Sequence, residues 1–158
     1  MTRPTKALLT ILLLALAPAA VSAHCQVPCG IYDDAARIAR LHEDAATIEK
    51  AMSKMAELAG RSDVQSANQF ARWVATKEQH AAHIITTVSE YFLAQKVKPV
   101  AAGADGHDAY LSRLADHHRV MVAAMKAKQN TDPEFVKVLR EAIDALGAHY
   151  DTAHKHVH

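Results

Sequence analysis

Both cysteines of this 158-residue chain lie close together, at positions 25 and 29, and a histidine stands directly before the first of them. If the chain were cleaved after Ala23, His24 would become the first residue and would carry a free α-amine beside its imidazole. The amine of His24 and the amide nitrogen of Cys25 would close one five-membered chelate ring, and the amide and thiolate of Cys25 would close another. Cys29 would supply a second thiolate if the chain turned back on itself.

This donor set favours a particular kind of metal ion. Pro28 and Gly30 make the turn accessible, because proline fixes φ and glycine tolerates positive φ. Two nitrogens and two thiolates in one plane suit copper(II) or nickel(II), and copper(II) tends to oxidise thiolates. The imidazole of His24 would lie where it could bind along the axis of the oxidised metal. The segment therefore predicts a metal site for copper(II) or nickel(II), of which nickel(II) tolerates thiolates, and its anionic donors would stabilise the higher oxidation state.

The residues before this segment have the features of a secretory signal peptide. Arg3 and Lys6 give a basic start, residues 7–17 form an apolar run of 11 residues, and residues 21–23 (VSA) form a small-residue cleavage site. The run is shorter than the roughly 20 residues that a membrane-spanning helix needs. The pattern therefore predicts export rather than anchoring.

The cleavage point decides whether the metal site can form. A lipoprotein signal would need a small residue before Cys25, where a histidine stands. We therefore expect signal peptidase to remove residues 1–23 by cutting between Ala23 and His24. The product would be periplasmic or extracellular, with no stable membrane anchor.

Composition indicates what kind of domain follows. Hydrophobic residues make up 50% of the chain and charged residues 22%, with only five glycines and five prolines. These proportions favour a helical globular domain. The formal net charge of +1 argues for neither a nucleic-acid partner nor a membrane surface.

Four amphipathic segments follow, each with apolar residues at helical spacing. The first covers residues 34–59, and the Asp33-Asp34 pair can cap it. The second begins at a capping box of Ser62 and Gln65 and ends before Pro99.

The third segment is predicted to be capped by Asp105 or Asp108 and to end at the Gln129-Asn130 pair. Its apolar stripe includes Leu111 and Met125, which we expect to face the core.

The fourth segment begins at a second capping box, Thr131 with Glu134, and runs to about Tyr150. Because the connections are short, successive helices should be antiparallel neighbours. The prediction is an all-α, up-down-up-down four-helix bundle over residues 33–158, with the metal-binding segment at its N-terminal end.

Residues 24–32, with the pattern His-Cys-x-x-Pro-Cys-Gly-x-Tyr, resemble the nickel-binding hook of nickel-containing superoxide dismutase. The pattern is specific in both its residue order and its place at the mature end. A weaker likeness extends along the chain, through Lys77-Glu78-Gln79, Tyr91-Phe92 and Thr131-Asp132-Pro133.

The resemblance implies an activity, a cofactor and an assembly. The enzyme would disproportionate superoxide at one nickel ion per subunit, within a homohexamer of four-helix bundles. The ligands would be His24, through amine and imidazole, Cys25, through amide and thiolate, and Cys29, through its thiolate. Tyr32 and Tyr91 would position superoxide or water at the open face of the metal and limit access to it.

The sequence departs from the family pattern at several positions. Where members have an arginine that holds the axial imidazole, this chain has His80, and the matching glutamate of the first helix is missing. We therefore expect His80 or Glu43 to hold the His24 imidazole, because such partners orient metal ligands. Leu93 replaces a lysine, so steering of the superoxide anion is expected from Lys96 and Lys98. Gln26 stands in place of an aspartate.

Other histidines are open to a second interpretation. His80 and His83 share a face of the second helix, but no third ligand is near in sequence, so a solvated or core-edge role is expected. A structural role is expected for His117. The histidines of the C-terminal tail could load or buffer metal, although a frayed, solvated end is the simpler interpretation.

Two other functions fit the same residues. The first is an exported carrier that binds nickel or copper without turnover. The second is a helical structural or sensor domain with a Cys25–Cys29 disulfide, as is common in exported proteins. A disulfide across three residues would close so small a loop that it stabilises little.

The intact mass of the mature protein tests the cleavage point. We expect a chain that starts at His24, because any residue retained before it would block the α-amine ligand. A mass that includes residues 1–23, or one extra alanine, would contradict the proposed ligand set.

Overall fold

The computed structural model describes residues 33–150. The predicted signal peptide, the hook over residues 24–32 and the histidine-rich tail after Tyr150 lie outside the described residues. Within this range the chain forms helices α1 (Asp34–Leu58), α2 (Val64–Thr86), α3 (His107–Gln129) and α4 (Glu134–Gly147). A π-helical segment, Thr87–Lys96, continues α2.

The helices pack side by side in a ring. Helix α1 lies against α2 and α4, and α3 lies against the same two helices. With short connections between successive helices, this is the neighbour pattern of an up-down-up-down bundle. The described residues contain no strand, so the predicted all-α bundle is confirmed. None of the helices among residues 33–150 is long and apolar enough to cross a membrane.

The start of α1 is as predicted, whereas the predicted start of α2 is wrong. The carboxylate of Asp33 accepts a hydrogen bond from the Ala36 amide at 2.8 Å. At α2 the cap is Asp63, not Ser62, and the carboxylate accepts from both the amide (2.9 Å) and the hydroxyl (2.6 Å) of Ser66. A carboxylate accepts two donors and complements the helix dipole, which favours Asp63 over the neighbouring serine.

The predicted side-chain caps of α3 and α4 are also wrong. Gly106 precedes α3 with φ +80°, a left-handed conformation that favours glycine, and no side chain caps this helix. Neither Asp105 nor Asp108 takes the capping role. Before α4, Pro133 is already helical with φ −57°, so Thr131 cannot cap, and Asp132 accepts the Glu134 amide at 2.9 Å instead.

Large apolar side chains from all four helices and the π-helical segment fill the centre of the bundle. The fully buried ones are Leu41, Ile48, Met52, Ile84, Val88, Phe92, Val120, Val136, Leu139, Ile143 and Leu146. Burial of this kind is the main favourable term in folding. Those of α1, α2, the π-helical segment and α4 are among the apolar residues at helical spacing from which these helices were predicted.

The predicted face of α3 is wrong. Leu111 and Met125 are 47% and 41% exposed. The helix instead buries His117, Val120, Ala123, Ala124 and Ala127. Alanine side chains are small, so they let α3 approach its neighbours closely. Because Leu111 and Met125 lie on the outer face, the spacing of large apolar residues predicted that face as the buried one.

A buried lysine joins α2 to the end of α3. Lys77 is only 4% exposed, and its ammonium donates hydrogen bonds to the carbonyls of Ala127 and Lys128. A cation at a helix C-terminus satisfies carbonyls that have no partner within the helix and complements the helix dipole. Glu78 lies 3.6 Å from Lys77 and compensates part of the charge.

A matched pair of leucines tests the position of the core. Leu139→Ala should lower the free energy of unfolding by about 2–5 kcal/mol, because it leaves a cavity among packed side chains. Leu111→Ala, at a half-exposed position of α3, should change it by less than about 1 kcal/mol. Chemical denaturation followed by circular dichroism measures both, and equal losses would contradict the orientation of α3.

Candidate metal and substrate site

The predicted site residues divide into two groups. His24, Cys25, Cys29 and Tyr32 lie outside the described residues, so their roles stay predictions. Tyr91, the second predicted substrate residue, lies on the π-helical segment and is 5% exposed. Segments of π-helix are rare in proteins, and those that occur are often at functional sites.

Tyr91 is bound to the beginning of α1. Its hydroxyl donates a hydrogen bond to Asp34 Oδ1 at 2.7 Å. The other oxygen of Asp34 lies 3.0 Å from the ammonium of Lys96, and the Arg37 guanidinium lies 5.2 Å from the centre of the Tyr91 ring. The ion pair with Lys96 therefore compensates the charge of the nearly buried carboxylate, whose residue is only 9% exposed. Asp34 stands two positions after Tyr32 in the chain, which places Tyr91 beside the first turn that follows the predicted hook.

This environment keeps Tyr91 in its neutral form. Burial is the largest cause that raises the pKa of Tyr91, and the hydrogen bond and negative charge of Asp34 add to it. Tyr91 therefore keeps its proton and donates a hydrogen bond to Asp34, and its oxygen can act as an acceptor. Because the folded-state pKa is raised, this stabilisation is present below the ordinary tyrosine pKa of 10.0 and is lost as the pH rises toward the folded-state value.

The two lysines expected to steer superoxide have nearby partners. Lys96 forms the ion pair with Asp34, and Lys98 donates to the carbonyl of Gln95 at 3.1 Å. The pairing of Lys96 offsets part of its long-range field. Steering by these lysines stays a prediction.

The two residues expected to hold the His24 imidazole have different surroundings. Glu43 is exposed and forms an ion pair with Arg40 at 2.8 Å. His80 places Nδ1 2.6 Å from Asp44 Oδ1, and His83 places Nδ1 2.6 Å from Asp44 Oδ2. The side chain of Asp44 is 1% exposed.

The sequence reasoning missed Asp44, the partner of both histidines. It is separated from them by 36 and 39 positions, so no local motif connects them. A signal was present nevertheless, because Asp44 occupies a buried position of α1 between Leu41 and Ile48. Buried charges need partners, so an aspartate on an apolar stripe predicts a polar group on the facing helix.

His117 has the structural role that was predicted. Its Nδ1 donates to the Arg113 carbonyl at 2.7 Å, so Nε2 accepts a hydrogen bond from the Tyr150 hydroxyl, also at 2.7 Å. Burial lowers the pKa of His117 and raises the pKa of Tyr150 to about 12, so both stay neutral. Phe92 packs on Tyr150 with ring centres 4.5 Å apart. This cluster supports the backbone directly after Tyr91.

No metal-binding group is complete within residues 33–150. No three His, Cys, Asp or Glu side chains of this range are placed to hold one metal ion together.

The helical bundle and its buried tyrosine on a π-helical segment fit a metal-dependent oxidoreductase. The sequence profile of nickel-containing superoxide dismutase matches residues 19–154, which is well over half of the chain. The chain belongs to the nickel-containing superoxide dismutase family. It is therefore an oxidoreductase that uses nickel and acts on superoxide. No curated protein and no solved structure matches it.

Replacing Tyr91 tests the link between the π-helical segment and α1. Tyr91→Phe should lower the free energy of unfolding by about 1–3 kcal/mol at neutral pH, because a buried carboxylate loses a donor. Tyr110→Phe, on the less buried start of α3, is the matched control and should change it little. Equal effects of the two variants in denaturation experiments would show that the bond to Asp34 contributes nothing specific.

Proposed function

We propose that the mature protein begins at His24 and binds one nickel ion per subunit through His24, Cys25 and Cys29. The observation that carries the proposal is the family match over residues 19–154, which includes all three residues. The donor chemistry supports it, because thiolates and a deprotonated amide are strong anionic donors and an imidazole suits nickel.

When bound, nickel supplies one-electron chemistry between its +2 and +3 states, by which two superoxide ions and two protons become O₂ and H₂O₂. The chain must do the rest. It has to admit a small anion, hold it or a water molecule in place, provide protons and exclude larger reductants. The anionic donors of Cys25 and Cys29 make the higher oxidation state accessible.

Tyr32 and Tyr91 are proposed to hold superoxide or water and to limit access. For Tyr91, support comes from its hydrogen bond to Asp34, because the hydroxyl proton already takes part in this bond of 2.7 Å. The phenol oxygen can then accept a hydrogen bond from water or from a protonated product. Its raised pKa makes Tyr91 a poor proton source at neutral pH, so its role is positioning rather than general acid catalysis.

Export and assembly complete the proposal. The chain would reach the periplasm or the extracellular space after signal peptidase cuts between Ala23 and His24. A homohexamer is the assembly that the resemblance implies. Support comes from large apolar side chains that the monomer leaves exposed, which are the kind of surface that subunit contacts cover. Among the described residues, Val64, Phe70, Met125 and Val138 are examples.

Replacing the cysteines tests the function directly. Cys25→Ser and Cys29→Ser should each lower the nickel content from about one ion per subunit to near zero and reduce superoxide consumption to the buffer rate, because thiolate ligands are lost. The helical circular dichroism signal should stay, since neither residue belongs to the described bundle.

Three measurements on the unmodified mature protein separate the alternatives. Bound nickel with catalytic superoxide consumption supports the proposal. Bound nickel or copper without turnover would indicate a carrier. A protein with no free thiols and no metal would indicate a Cys25–Cys29 disulfide and would overturn the proposed site.

A further inference from the structure

One positive charge beside Tyr91 is not compensated by a carboxylate. Both oxygens of Asp34 have partners, because one accepts from the Tyr91 hydroxyl at 2.7 Å and the other pairs with Lys96 at 3.0 Å. The guanidinium of Arg37 lies 5.2 Å from the centre of the Tyr91 ring instead. Within residues 33–150, Arg37 forms no ion pair with a carboxylate. Its charge is therefore available to another anion.

The position of Arg37 in α1 keeps this charge accessible. Arg37 lies in the first turn, where its amide donates to the Asp33 carbonyl at 3.1 Å. The residue is exposed, whereas Tyr91 is only 5% exposed. An exposed guanidinium has several N–H donors for a small anion, and the start of a helix favours negative charge as well. Arg37 therefore offers an anion a binding position on the solvent side of Tyr91.

The charge balance around Tyr91 depends on Arg37. Asp33 and Asp34 bring two negative charges to the start of α1, and Lys96 compensates one of them. With Arg37 these four side chains are neutral together, and without it they would carry an excess negative charge that repels superoxide. Burial and Asp34 raise the pKa of Tyr91, and the positive charge of Arg37 opposes that rise. The field of Arg37 therefore acts on the phenol itself.

We propose that Arg37 attracts superoxide to Tyr91 and donates hydrogen bonds to the anion beside the tyrosine. This inference rests on the proposed function, because it assigns a further residue to the same substrate. The two lysines expected to steer superoxide have other contacts, since Lys96 pairs with Asp34 and Lys98 donates to a backbone carbonyl. A charge near the reacting centre raises the rate at which an oppositely charged substrate arrives. Arg37 is the cation best placed for this role.

The first test compares two substitutions that remove the same charge from different places. Arg72 is exposed like Arg37 but lies on α2, about five turns before Tyr91. Pulse radiolysis of the nickel-loaded mature protein measures kcat/KM for superoxide. Arg37→Gln should lower it about three-fold at low ionic strength, the size expected for one unit charge about 5 Å away in water. Arg72→Gln should change it by less than about 1.3-fold, because that charge is screened. Nickel content should be equal in all samples.

Ionic strength separates an electrostatic role of Arg37 from a merely structural one. Salt at 0.1 M screens exposed charges beyond about 10 Å, so the difference between the parent and Arg37→Gln should shrink as salt is added. Arg37→Lys keeps the charge and should restore most of kcat/KM together with its salt dependence. A loss that is the same at every ionic strength, or that Arg37→Lys shares in full, would show that Arg37 only supports the packing of Tyr91 and would overturn the inference.

A second test needs neither metal nor turnover. Azide, a small monovalent anion, is added to the metal-free mature chain, and the arginine Nε–H signals are followed by NMR spectroscopy. Azide should shift the Arg37 signal and, with the same concentration dependence, the ring signals of Tyr91. Arg140 is the control and should respond less, because Glu49 already holds its guanidinium at 2.7 Å. Equal responses of the two arginines, or an unchanged Tyr91 ring, would contradict an anion position beside the tyrosine.

The outcomes distinguish this inference from the proposed function. A nickel-loaded parent protein without superoxide turnover would overturn the proposed function and the role of Arg37 with it. Turnover that Arg37→Gln leaves unchanged at low ionic strength would overturn the role of Arg37 alone. Circular dichroism verifies that each variant folds, and if Arg37→Gln unfolds, the azide titration of the parent chain decides.

Discussion

The hydrogen bond from Tyr91 to Asp34 is the interaction on which the start of the bundle depends. It connects the π-helical segment to the first residue of α1 at 2.7 Å, and the ion pair with Lys96 compensates the charge of the nearly buried carboxylate. Because the hook is expected just before α1, this bond defines where the bundle starts and where its buried tyrosine lies. The packing of Phe92 against Tyr150 and His117 then holds the segment from the inner side.

In the proposed enzyme, the bundle and the predicted hook have different roles. The described helices supply a rigid frame, a neutral tyrosine and charged groups that are already paired, but no complete metal site. The proposed ligands come from a short N-terminal segment, and one of them, the α-amine of His24, would exist only after cleavage. Such a division suits a metal whose redox chemistry depends on unusual donors, since donor choice is then independent of helix packing.

The four helices were predictable, because the helical spacing of apolar residues is a local pattern. The hook, which rests on residue order within nine positions, stays a prediction. Features that depend on distant partners were not predictable. Asp44 meets His80 across 36 positions, and the inner face of α3 is built mainly of alanines, which resemble the surface in composition. The cap of α2 lies one residue after the predicted one, because Asp63 is a stronger acceptor than its neighbour Ser62. Before α4, Asp132 replaces the predicted Thr131, because Pro133 is already helical.

The π-helical geometry of Thr87–Lys96 also restricts how this chain can change in length. In a π-helix each amide donates to the carbonyl five residues earlier, rather than four residues earlier as in an α-helix. The Val97 amide, for example, donates to the Phe92 carbonyl at 3.0 Å. Deleting one residue here would favour ordinary α-helix and turn each later side chain by about 100°. A deletion before Phe92 would remove its ring from the cluster with His117 and Tyr150. A deletion before Tyr91 would also turn its hydroxyl away from Asp34. This segment should therefore tolerate substitutions on its outer face far better than any insertion or deletion.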